Sequence, residues 1–470
     1  MNKIFILFTL STQLFFSQIN LVKDIRSGST GSLIGGLVEY QGDLYFKAND
    51  GSTGTELWKS NGTTGGTVAV ADTNPGTLNF NPSNLTVFNS KLYFSGLVTA
   101  TVGSEIFSYN GTAITNAADI KPGTGSSSPG FIIPFNGNLY FRAQEAITTT
   151  YRLYKLTPSN TYSVLDNTNL AGTSAAVLGS TLLFSGGTVA GNTQLYSTDG
   201  TTVSLVKTIN STGSSTTTNL YTAPTLNKTF FQATDGANGK ELWVTDGTSS
   251  GTTMLADINP TGDSSPSDFY EFMGKVYFQA TSTTGNIELW STDGATATLV
   301  KDINATGSSF PSNFLGFNNF LYFSANDGVN GTELWKTDGT TTNTTLFLDI
   351  NSGAGSSSPS DLISFNGTIF LAADNGTIGK ELYSITQSTL PVNNERINKL
   401  NIFPNPSNGD LNFSQKISGI YQIYSYAGNI LKSGTLNNST NLLVNLPSGN
   451  YHIVINSKGS KTSFPIIIKK

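Results

Sequence analysis

Residues 321–350 read LYFSANDGVNGTELWKTDGTTTNTTLFLDI, and the three short motifs of this stretch recur in the same order along most of the chain. The first motif is Leu-Tyr-Phe-like, the second is Glu-Leu-Trp-like and the third is Lys-Asp-Ile-like. The first motif begins, in steps of 43 to 48 residues, at Leu44, Leu92, Leu139, Leu182, Thr229, Val276, Leu321 and Ile369. Self-similarity at such a period is typical of repeat architectures.

The other two motifs follow the same period. The second begins at Glu56, Glu105, Arg152, Gln194, Glu241, Glu288, Glu333 and Glu381. All four tryptophans of the chain occupy its third position: Trp58, Trp243, Trp290 and Trp335. The aspartate of the third motif stands at Asp24, Asp72, Asp119, Asp166, Asp257, Asp302 and Asp349, and Thr208 takes the remaining place. The sequence therefore contains eight repeat units.

Each unit carries the signals of short strands joined by tight turns. Asn-Gly and Asp-Gly pairs, such as residues 366–367 and 338–339, favour two-residue hairpin turns. No helical period is present, so each unit is predicted to form four antiparallel strands. Four-stranded units of roughly 40–50 residues predict an all-β fold, a β-propeller. Leu44, Tyr45 and Phe46 are apolar on both faces of one strand, as a sheet stacked between two others requires.

The two ends of the repeat array are complementary. Residues 20–25 form a third-motif strand that precedes every other strand, and the last unit, which ends near residue 385, lacks one. We expect this N-terminal outer strand to complete an eighth blade and close the ring, which leaves no open sheet edge. Seven blades is the alternative if the degenerate third or fourth unit is not a full blade.

The longer connections are predicted to lie on one face of the propeller. They join the second and third strands of a unit, as in residues 49–55, 235–240 and 327–332, and they also join successive units. Antiparallel order brings both sets to the same side, whereas the tight turns lie on the other. Binding residues concentrate on such loops, so this face is the predicted place for a ligand.

Residues 241–248 (ELWVTDGT) and 333–340 (ELWKTDGT) resemble the ELWxxDGT repeat of exported bacterial propeller-like proteins. The resemblance covers about residues 20–386 and weakens in the third unit, where the Asp-Gly turn is replaced. It implies architecture and export, and it carries no established activity.

The chain begins with one lysine and an apolar run over residues 4–16, which is typical of a secretory signal peptide. Residues 1–17 are therefore predicted to be a signal peptide and residues 18–386 the propeller. Residues 387–398 break the repeat and are predicted to be a linker. Residues 399–470 contain short β runs between turns, which predict a small C-terminal β-sandwich. No later segment is long and apolar enough for a transmembrane span.

The last segment also resembles a known family. Residues 404–406 (PNP), 423–428 (IYSYAG) and 448–451 (SGNY) and a terminal lysine pair are similar to the type A sorting domain of the type IX secretion system. The resemblance implies recognition by that machinery, removal of the domain, and a secreted or surface location in a Gram-negative bacterium. A small adhesive β-sandwich is the alternative.

Composition excludes several functions. Of 470 residues, 25 are Lys or Arg and 30 are Asp or Glu, so the net charge is −5, which does not suit nucleic-acid binding. The chain has no cysteine, which excludes disulfides, thiolate catalysis and Cys-ligated zinc. The single histidine, His452, lies in the C-terminal domain, so the propeller has no Ser-His-Asp site. No catalytic or cofactor-binding residue is assigned.

Three groups of residues could carry chemistry. Calcium is the favoured metal, because Asp50, Asp235, Asp327 and Asp374 lie in Gly-rich loops of the long-loop face, although a turn-forming role explains them equally well. The recurring acids are interpreted as structural, capping turns or pairing with Lys23 and Lys301, with shared ligation or catalysis as the alternative. The recurring tryptophans are interpreted as packing between blades, with a sugar-stacking platform as the alternative.

The third unit departs from the repeat. It holds Arg142 and Arg152, two of the chain's four arginines, together with Glu145 and Tyr151. Such a departure can mark a specialised site, and it can equally mark drift.

The favoured function is a non-catalytic, monomeric binding or adhesion module outside the cell, whose ligand is a polysaccharide or an extracellular protein. One alternative is a carbohydrate-active enzyme that uses two non-repeated acids in the propeller channel. The other is a structural component of a surface layer.

Overall fold

The computed structural model describes residues 17–145, 148–189, 191–283, 285–387, 402–425, 430–457 and 460–470. The predicted signal peptide up to residue 16 and the predicted linker from residue 388 lie outside these ranges. The chain divides into two compact units, Met1–Ser388 and Thr389–Lys470. Every regular element of the described residues is a β-strand, and these residues include no helix of the length and apolarity that crossing a bilayer demands.

The first unit contains eight four-stranded antiparallel sheets, numbered here along the chain. The strand that precedes them is β1 (Ser17–Lys23). Sheets 1 to 4 consist of β2 (Gly35–Tyr40), β3 (Asp43–Asn49), β4 (Thr55–Ser60) and β5 (Val68–Ala69); β6 (Ser83–Phe88), β7 (Lys91–Val98), β8 (Gly103–Tyr109) and β9 (Ile114–Ala118); β10 (Gly130–Phe135), β11 (Asn138–Gln144), β12 (Tyr151–Leu156) and β13 (Tyr162–Val164); and β14 (Leu170–Leu178), β15 (Thr181–Val189), β16 (Asn192–Thr198) and β17 (Val203–Lys207). 

Sheets 5 to 8 consist of β18 (Thr218–Ala223), β19 (Lys228–Ala233), β20 (Glu241–Thr245) and β21 (Thr253–Ala256); β22 (Ser267–Phe272), β23 (Lys275–Thr281), β24 (Ile287–Thr292) and β25 (Ala297–Lys301); β26 (Ser312–Phe317), β27 (Phe320–Asn326), β28 (Thr332–Thr337) and β29 (Thr345–Leu348); and β30 (Ser360–Phe365), β31 (Thr368–Asp374) and β32 (Lys380–Gln387) with β1.

The N-terminal strand completes the last sheet, as its sequence predicts. Strand β1 pairs antiparallel with β32, from Ser17 opposite Gln387 to Lys23 opposite Leu382. The first strand of each sheet contacts the first strands of the neighbouring sheets, and the series returns to its start where β30 contacts β2. This repeated four-stranded arrangement is consistent with a propeller.

The apolar core lies between sheets rather than on one side of them. Leu44, Tyr45 and Phe46 of β3 are all buried, although successive side chains of a strand point to opposite faces. Leu44 and Phe46 pack in a cluster with residues of sheet 8, whereas Tyr45 packs in a cluster with residues of sheet 2. Equivalent clusters join the other neighbouring sheets, so every sheet has two buried faces, as the sequence predicts.

The tight Asp-Gly turns join the third and fourth strands. In sheet 7 the Asp338 Oδ1 atom accepts a hydrogen bond from the Thr340 backbone N–H at 3.0 Å. Gly339 has a φ of +95°, and a Cβ at this position would lie 2.4 Å from the Tyr277 hydroxyl of sheet 6. Glycine is therefore required both by the backbone conformation and by the neighbouring sheet.

The second unit is a five-stranded sheet. Its strands are β33 (Ile402–Phe403), β34 (Asp410–Ser425), β35 (Ile430–Leu443), β36 (Gly449–Ser457) and β37 (Ser460–Ile468). The order is β33-β34-β36-β37, and β35 also pairs with the long strand β34. Because hydrogen bonds join all five strands in one sheet, the predicted sandwich of two sheets is not confirmed. His452 lies in β36 with an exposed side chain.

Candidate functional site

The recurring glutamates of the first unit hold the connections between sheets. The Glu333 carboxylate accepts hydrogen bonds from the backbone N–H groups of Ile350 (2.7 Å) and Ser357 (2.8 Å) and from the Ser357 hydroxyl (2.6 Å). Glu241 accepts the same three kinds of bond from Ile258 and Ser264. All members of this set are buried and accept backbone donors: Glu56, Glu105, Glu241, Glu288, Glu333 and Glu381. Their role is the positioning of the connecting loops.

Burial dominates the electrostatics of these carboxyls. It raises the pKa of each of the six glutamates above 4.5, and hydrogen bonds from the loops offset this only in part. For Glu56, burial raises the pKa to about 7, and the nearby Asp72 carboxyl acts in the same direction. In contrast, backbone and hydroxyl donors of Thr201 and Thr202 lower the pKa of the exposed Asp199 to about 2.

These shifts predict that mild acid stabilises the first unit. Between pH 4.5 and about 7, folded Glu56 binds a proton that the unfolded chain does not, so the free energy of unfolding decreases as the pH rises through this window. The expected contribution of Glu56 is on the order of 3 kcal/mol. We expect the melting temperature to be higher near pH 5 than at pH 8.

The measurement is thermal unfolding at several pH values for the natural chain and for Glu56→Gln, which cannot ionise. The variant should show a smaller decrease in melting temperature between pH 5 and pH 8. An identical pH dependence in both proteins would contradict this role of Glu56.

The lysines of the third motif do not pair with the acids, which corrects one prediction. Lys23 Nζ donates a hydrogen bond to the Thr67 carbonyl at 2.7 Å, and Lys301 Nζ donates to the Thr344 carbonyl at 2.7 Å. Each lysine thus links the outer strand of one sheet to the next sheet. The ammonium groups also lie 5.8 and 6.0 Å from the ring centroids of Trp58 and Trp335. The physical reason is that a neutral carbonyl lies within reach of the ammonium, whereas the glutamates are engaged by loop amides.

The four calcium candidates each cap their own loop. Asp50 Oδ1 accepts from the Ser52 and Thr53 amides, both at 2.8 Å. In the same way, Asp235 accepts hydrogen bonds from the backbone amides of residues 237 and 238, Asp327 from those of residues 329 and 330, and Asp374 from that of residue 376. Backbone donors lower the pKa of Asp235. The structure does not bring the four together, and the described residues contain no group of three or more His, Cys, Asp or Glu side chains placed to hold a metal ion.

We therefore expect calcium to have little effect on stability. A tight site would stabilise the fold by several kcal/mol at saturating ion, whereas carboxylates already bonded to their own loops would add less than about 1 kcal/mol. Differential scanning calorimetry with millimolar calcium and again with chelator measures this directly. A large, saturable increase in melting temperature with calcium would revive the calcium hypothesis.

The third unit holds the charged cluster that departs from the repeat. Arg152, in the position of the glutamate, lies with its Nε atom 3.4 Å from Glu145 Oε1. The Arg142 guanidinium lies 3.9 Å from the centroid of the Tyr151 ring. Arg142 faces sheet 4, because it pairs with Leu153, which packs in the cluster shared by sheets 3 and 4. The structure thus joins all four residues that the sequence singled out, in two pairs.

The connection from sheet 3 to sheet 4 is also short. Sixteen residues separate Asp166 from Leu182, whereas nineteen to twenty-one separate the equivalent positions of the other units. In the next unit Gln194 replaces the glutamate. Its Oε1 accepts from the Ile209 amide at 2.8 Å and its Nε2 donates to the Asn210 and Gly213 carbonyls, both at 2.9 Å. The loop after sheet 4 is therefore held without a charge.

Two cavities flank the β15–β16 hairpin of sheet 4, on the long-loop face. Cavity A, of about 210 Å³, lies between sheets 3 and 4 and is lined by Tyr151, Leu170 and Val189 among others. Cavity B, of about 310 Å³, lies on the other side of the hairpin, against residues 208–213. Gly187 and Asn192 border both cavities. A third cavity, of about 330 Å³, lies at the tight turns of sheets 6 and 7, on the opposite face.

The cavities coincide with the two units that lack the second-motif glutamate. The sequence singles out the third unit by its arginines, and the fourth unit departs from the repeat less visibly, with Gln194 and Thr208 where six other units carry two acids. The signal is present in the alignment of the repeats: two neighbouring units lose the second-motif glutamate, the fourth unit also loses the third-motif aspartate, and the connection between the two units is shortened. This pair of units is the candidate binding site.

The comparisons with known proteins identify the second unit. Residues 401–469 match the family model of the secretion system C-terminal sorting domain, which confirms the predicted type IX sorting domain. Such a domain implies interaction with the secretion machinery, export, and a secreted or cell-surface location. A comparison with curated proteins finds no relative of this chain.

Three solved structures that resemble the chain do so at low identity. A prolyl endopeptidase structure is 12% identical with a TM-score of 0.47, covering 74% of this chain and 54% of its own. Sqt1 from Saccharomyces cerevisiae is 11% identical with a TM-score of 0.48, and the match covers 78% of this chain and 98% of the Sqt1 chain. A puromycin-hydrolyzing peptidase from Mycobacterium tuberculosis is 9% identical with a TM-score of 0.43, and the match covers 80% of this chain and 58% of the peptidase chain. The chain spans little more than half the length of the two peptidase chains.

Proposed function

We propose that the first unit is an eight-bladed β-propeller of the ELWxxDGT-repeat kind and acts as a non-catalytic binding or adhesion module outside the cell. The sorting domain at residues 401–469 supports delivery by the type IX system. The ligand is a polysaccharide or an extracellular protein, and the long-loop face receives it. The domain boundaries proposed are residues 18–386 for the propeller and 399–470 for the sorting domain.

The observation that carries this proposal is the coincidence of cavities A and B with the two atypical units. In the described units that carry the glutamate, its buried carboxylate accepts hydrogen bonds from the connecting loop and holds that loop to the sheet. Sheets 3 and 4 instead place the Tyr151 ring and uncharged polar side chains around the β15–β16 hairpin, and the Arg142 guanidinium contacts the Tyr151 ring. Ligand sites are concave and mostly apolar, with a few polar groups that orient the ligand.

A length-matched loop exchange tests the binding face. Residues 187–193 are replaced by residues 234–240 of sheet 5, which occupy the same place in the repeat. The control replaces residues 326–332 of sheet 7 by the same seven residues. The full chain and both variants are screened for binding to immobilised polysaccharides and matrix proteins, and their melting temperatures are compared.

We expect the sheet 4 exchange to abolish binding and the sheet 7 exchange to preserve it, with similar melting temperatures. Binding that survives both exchanges would remove the hairpin from the proposed face. A folded chain that binds none of these ligands would contradict the proposed function.

A further inference from the structure

We propose that cavity B binds an uncharged sugar unit of a neutral polysaccharide. This inference rests on the proposed binding function and assigns its ligand class. Cavity B lies between the β15–β16 hairpin and residues 208–213, and all of its lining residues belong to the described part of the chain. Its volume of about 310 Å³ lies at the lower end of the range for ligand sites, roughly 300–1,000 Å³, which suits one or two sugar rings of a longer chain.

The first argument is an apolar wall. The side chains of Tyr196 and Leu205 lie side by side on one face of the β16–β17 pair, because these residues are direct partners in the register. Leu205 is 47% exposed although it is large and apolar, whereas the Tyr196 side chain is largely buried. The C–H face of a pyranose ring packs on such an aromatic and aliphatic surface, which also excludes water from the contact.

The second argument is a set of available polar groups. The side chains of Asn192, Thr208 and Ser211 border the cavity and make no hydrogen bond within the part of the chain that the structure describes. Burial raises the pKa of Tyr196 above 10, so its hydroxyl stays protonated and can donate. Amides and hydroxyls both donate and accept, as the hydroxyl groups of a sugar require.

The loop behind these groups is held by hydrogen bonds of its own. Asn210 Nδ2 donates to the Ser214 carbonyl, and its Oδ1 accepts from the Thr212 amide and hydroxyl. Gln194 binds the same loop through both ends of its amide. A site whose supporting groups are satisfied internally loses less conformational entropy on binding.

The third argument is charge, and it selects neutral sugars. None of the described residues that line cavity B is charged. Gln194 and Thr208 stand in the positions that Glu241 and Asp257 occupy in the next unit. An acidic sugar would find no cation in the cavity, and its carboxylate would lose hydration without compensation. A neutral sugar meets only hydroxyls, amides and apolar surface.

The test restores one charge of the repeat. Thr208→Asp introduces the residue that seven of the eight units carry at this position, so the fold should accept it, while a carboxylate enters cavity B. The matched control is Ser204→Asp, which places the same charge on the exposed side of the neighbouring strand, outside the cavity. Tyr196→Phe removes only the hydroxyl. Affinity electrophoresis of the full chain uses soluble starch, laminarin, galactomannan and xyloglucan, with polygalacturonate and alginate as acidic polymers.

We expect retention by at least one neutral polymer, a loss of at least tenfold in affinity for Thr208→Asp, a smaller loss for Tyr196→Phe, and no change for Ser204→Asp. Retention by acidic polymers alone would overturn the neutral class. If Thr208→Asp binds a neutral polysaccharide as tightly as the natural chain does, cavity B is not the site, but the proposed function stands. Binding to matrix protein without any glycan would do the same, whereas a folded chain that binds nothing would overturn both.

Discussion

Deletion of residues 18–25 is expected to lower the free energy of unfolding of the first unit by at least about 5 kcal/mol and to cause aggregation. The deletion removes Val22 and Ile25 from the cluster between sheets 8 and 1, and each buried apolar side chain contributes about 1.5–3 kcal/mol. It also removes the Ile25 amide that donates to the buried Glu381 carboxylate at 2.9 Å. Strand β32 then becomes an open edge, which pairs readily with other chains.

Two point variants of the same strand make this prediction specific. Val22→Ala should destabilise by about 1–2 kcal/mol because Val22 is buried, whereas Leu21→Ala should cost less than about 0.5 kcal/mol because Leu21 is 43% exposed. A synthetic peptide of residues 17–26, added to the deleted protein, should bind the open edge and restore much of the melting temperature. Full stability of the deleted protein without the peptide would show that β1 does not close the unit.

Glu333→Ala is expected to destabilise the first unit by about 3–5 kcal/mol. The Glu333 carboxylate is fully buried and accepts three hydrogen bonds, from the amides of Ile350 and Ser357 and from the Ser357 hydroxyl. Alanine leaves those donors without an acceptor, and each unsatisfied buried group costs about 1–3 kcal/mol. Chemical denaturation followed by tryptophan fluorescence measures the difference, and Thr345→Ala, at an exposed position of β29, is the control.

Glu333→Gln separates hydrogen bonding from charge. Glutamine keeps one carbonyl acceptor but presents an NH₂ group to the remaining donor, so we expect an intermediate loss of about 1–2 kcal/mol. The reverse change in sheet 4, Gln194→Glu, should cost a similar amount, because its second oxygen would face the Asn210 and Gly213 carbonyls. Equal stabilities of the alanine and glutamine variants of Glu333 would contradict the acceptor role.

The sequence predicts the fold of the first unit well because its signals are local and repeated. The motif that begins at Leu44 is apolar at three consecutive positions, and the structure buries all three between sheets. The closing strand was predictable for a different reason: one copy of the third motif was left over at the start of the array and one was missing at its end. In the second unit, the 16-residue strand β34 pairs with three strands, β33, β35 and β36, and no local pattern indicates such multiple pairing.

The candidate site was less predictable, because its residues act through partners that are distant in the sequence. The repeat predicts a structural role for the acids but not their partners, because the donors to Glu241 come from residues 17 and 23 positions later, in a connection without a motif of its own. Cavity B lies where Gln194 and Thr208 replace two acids. In a chain rich in uncharged polar residues, such a substitution does not by itself indicate a site. The cluster of Arg142 and Tyr151 was visible because arginine is rare in this protein.

The pairing of Ser17 with Gln387 has a kinetic consequence. Its two partners lie at opposite ends of the first unit, so this contact has the largest loop-closure cost in the unit and forms after the more local hairpins. A chain whose C-terminal part has yet to emerge from the ribosome or from a membrane channel cannot form it. Until then the sheets remain an open array. Passing such a chain through a narrow channel requires only individual hairpins to unfold, not a closed ring of sheets. Closure of the first unit therefore has to wait until its last strand, β32, is available.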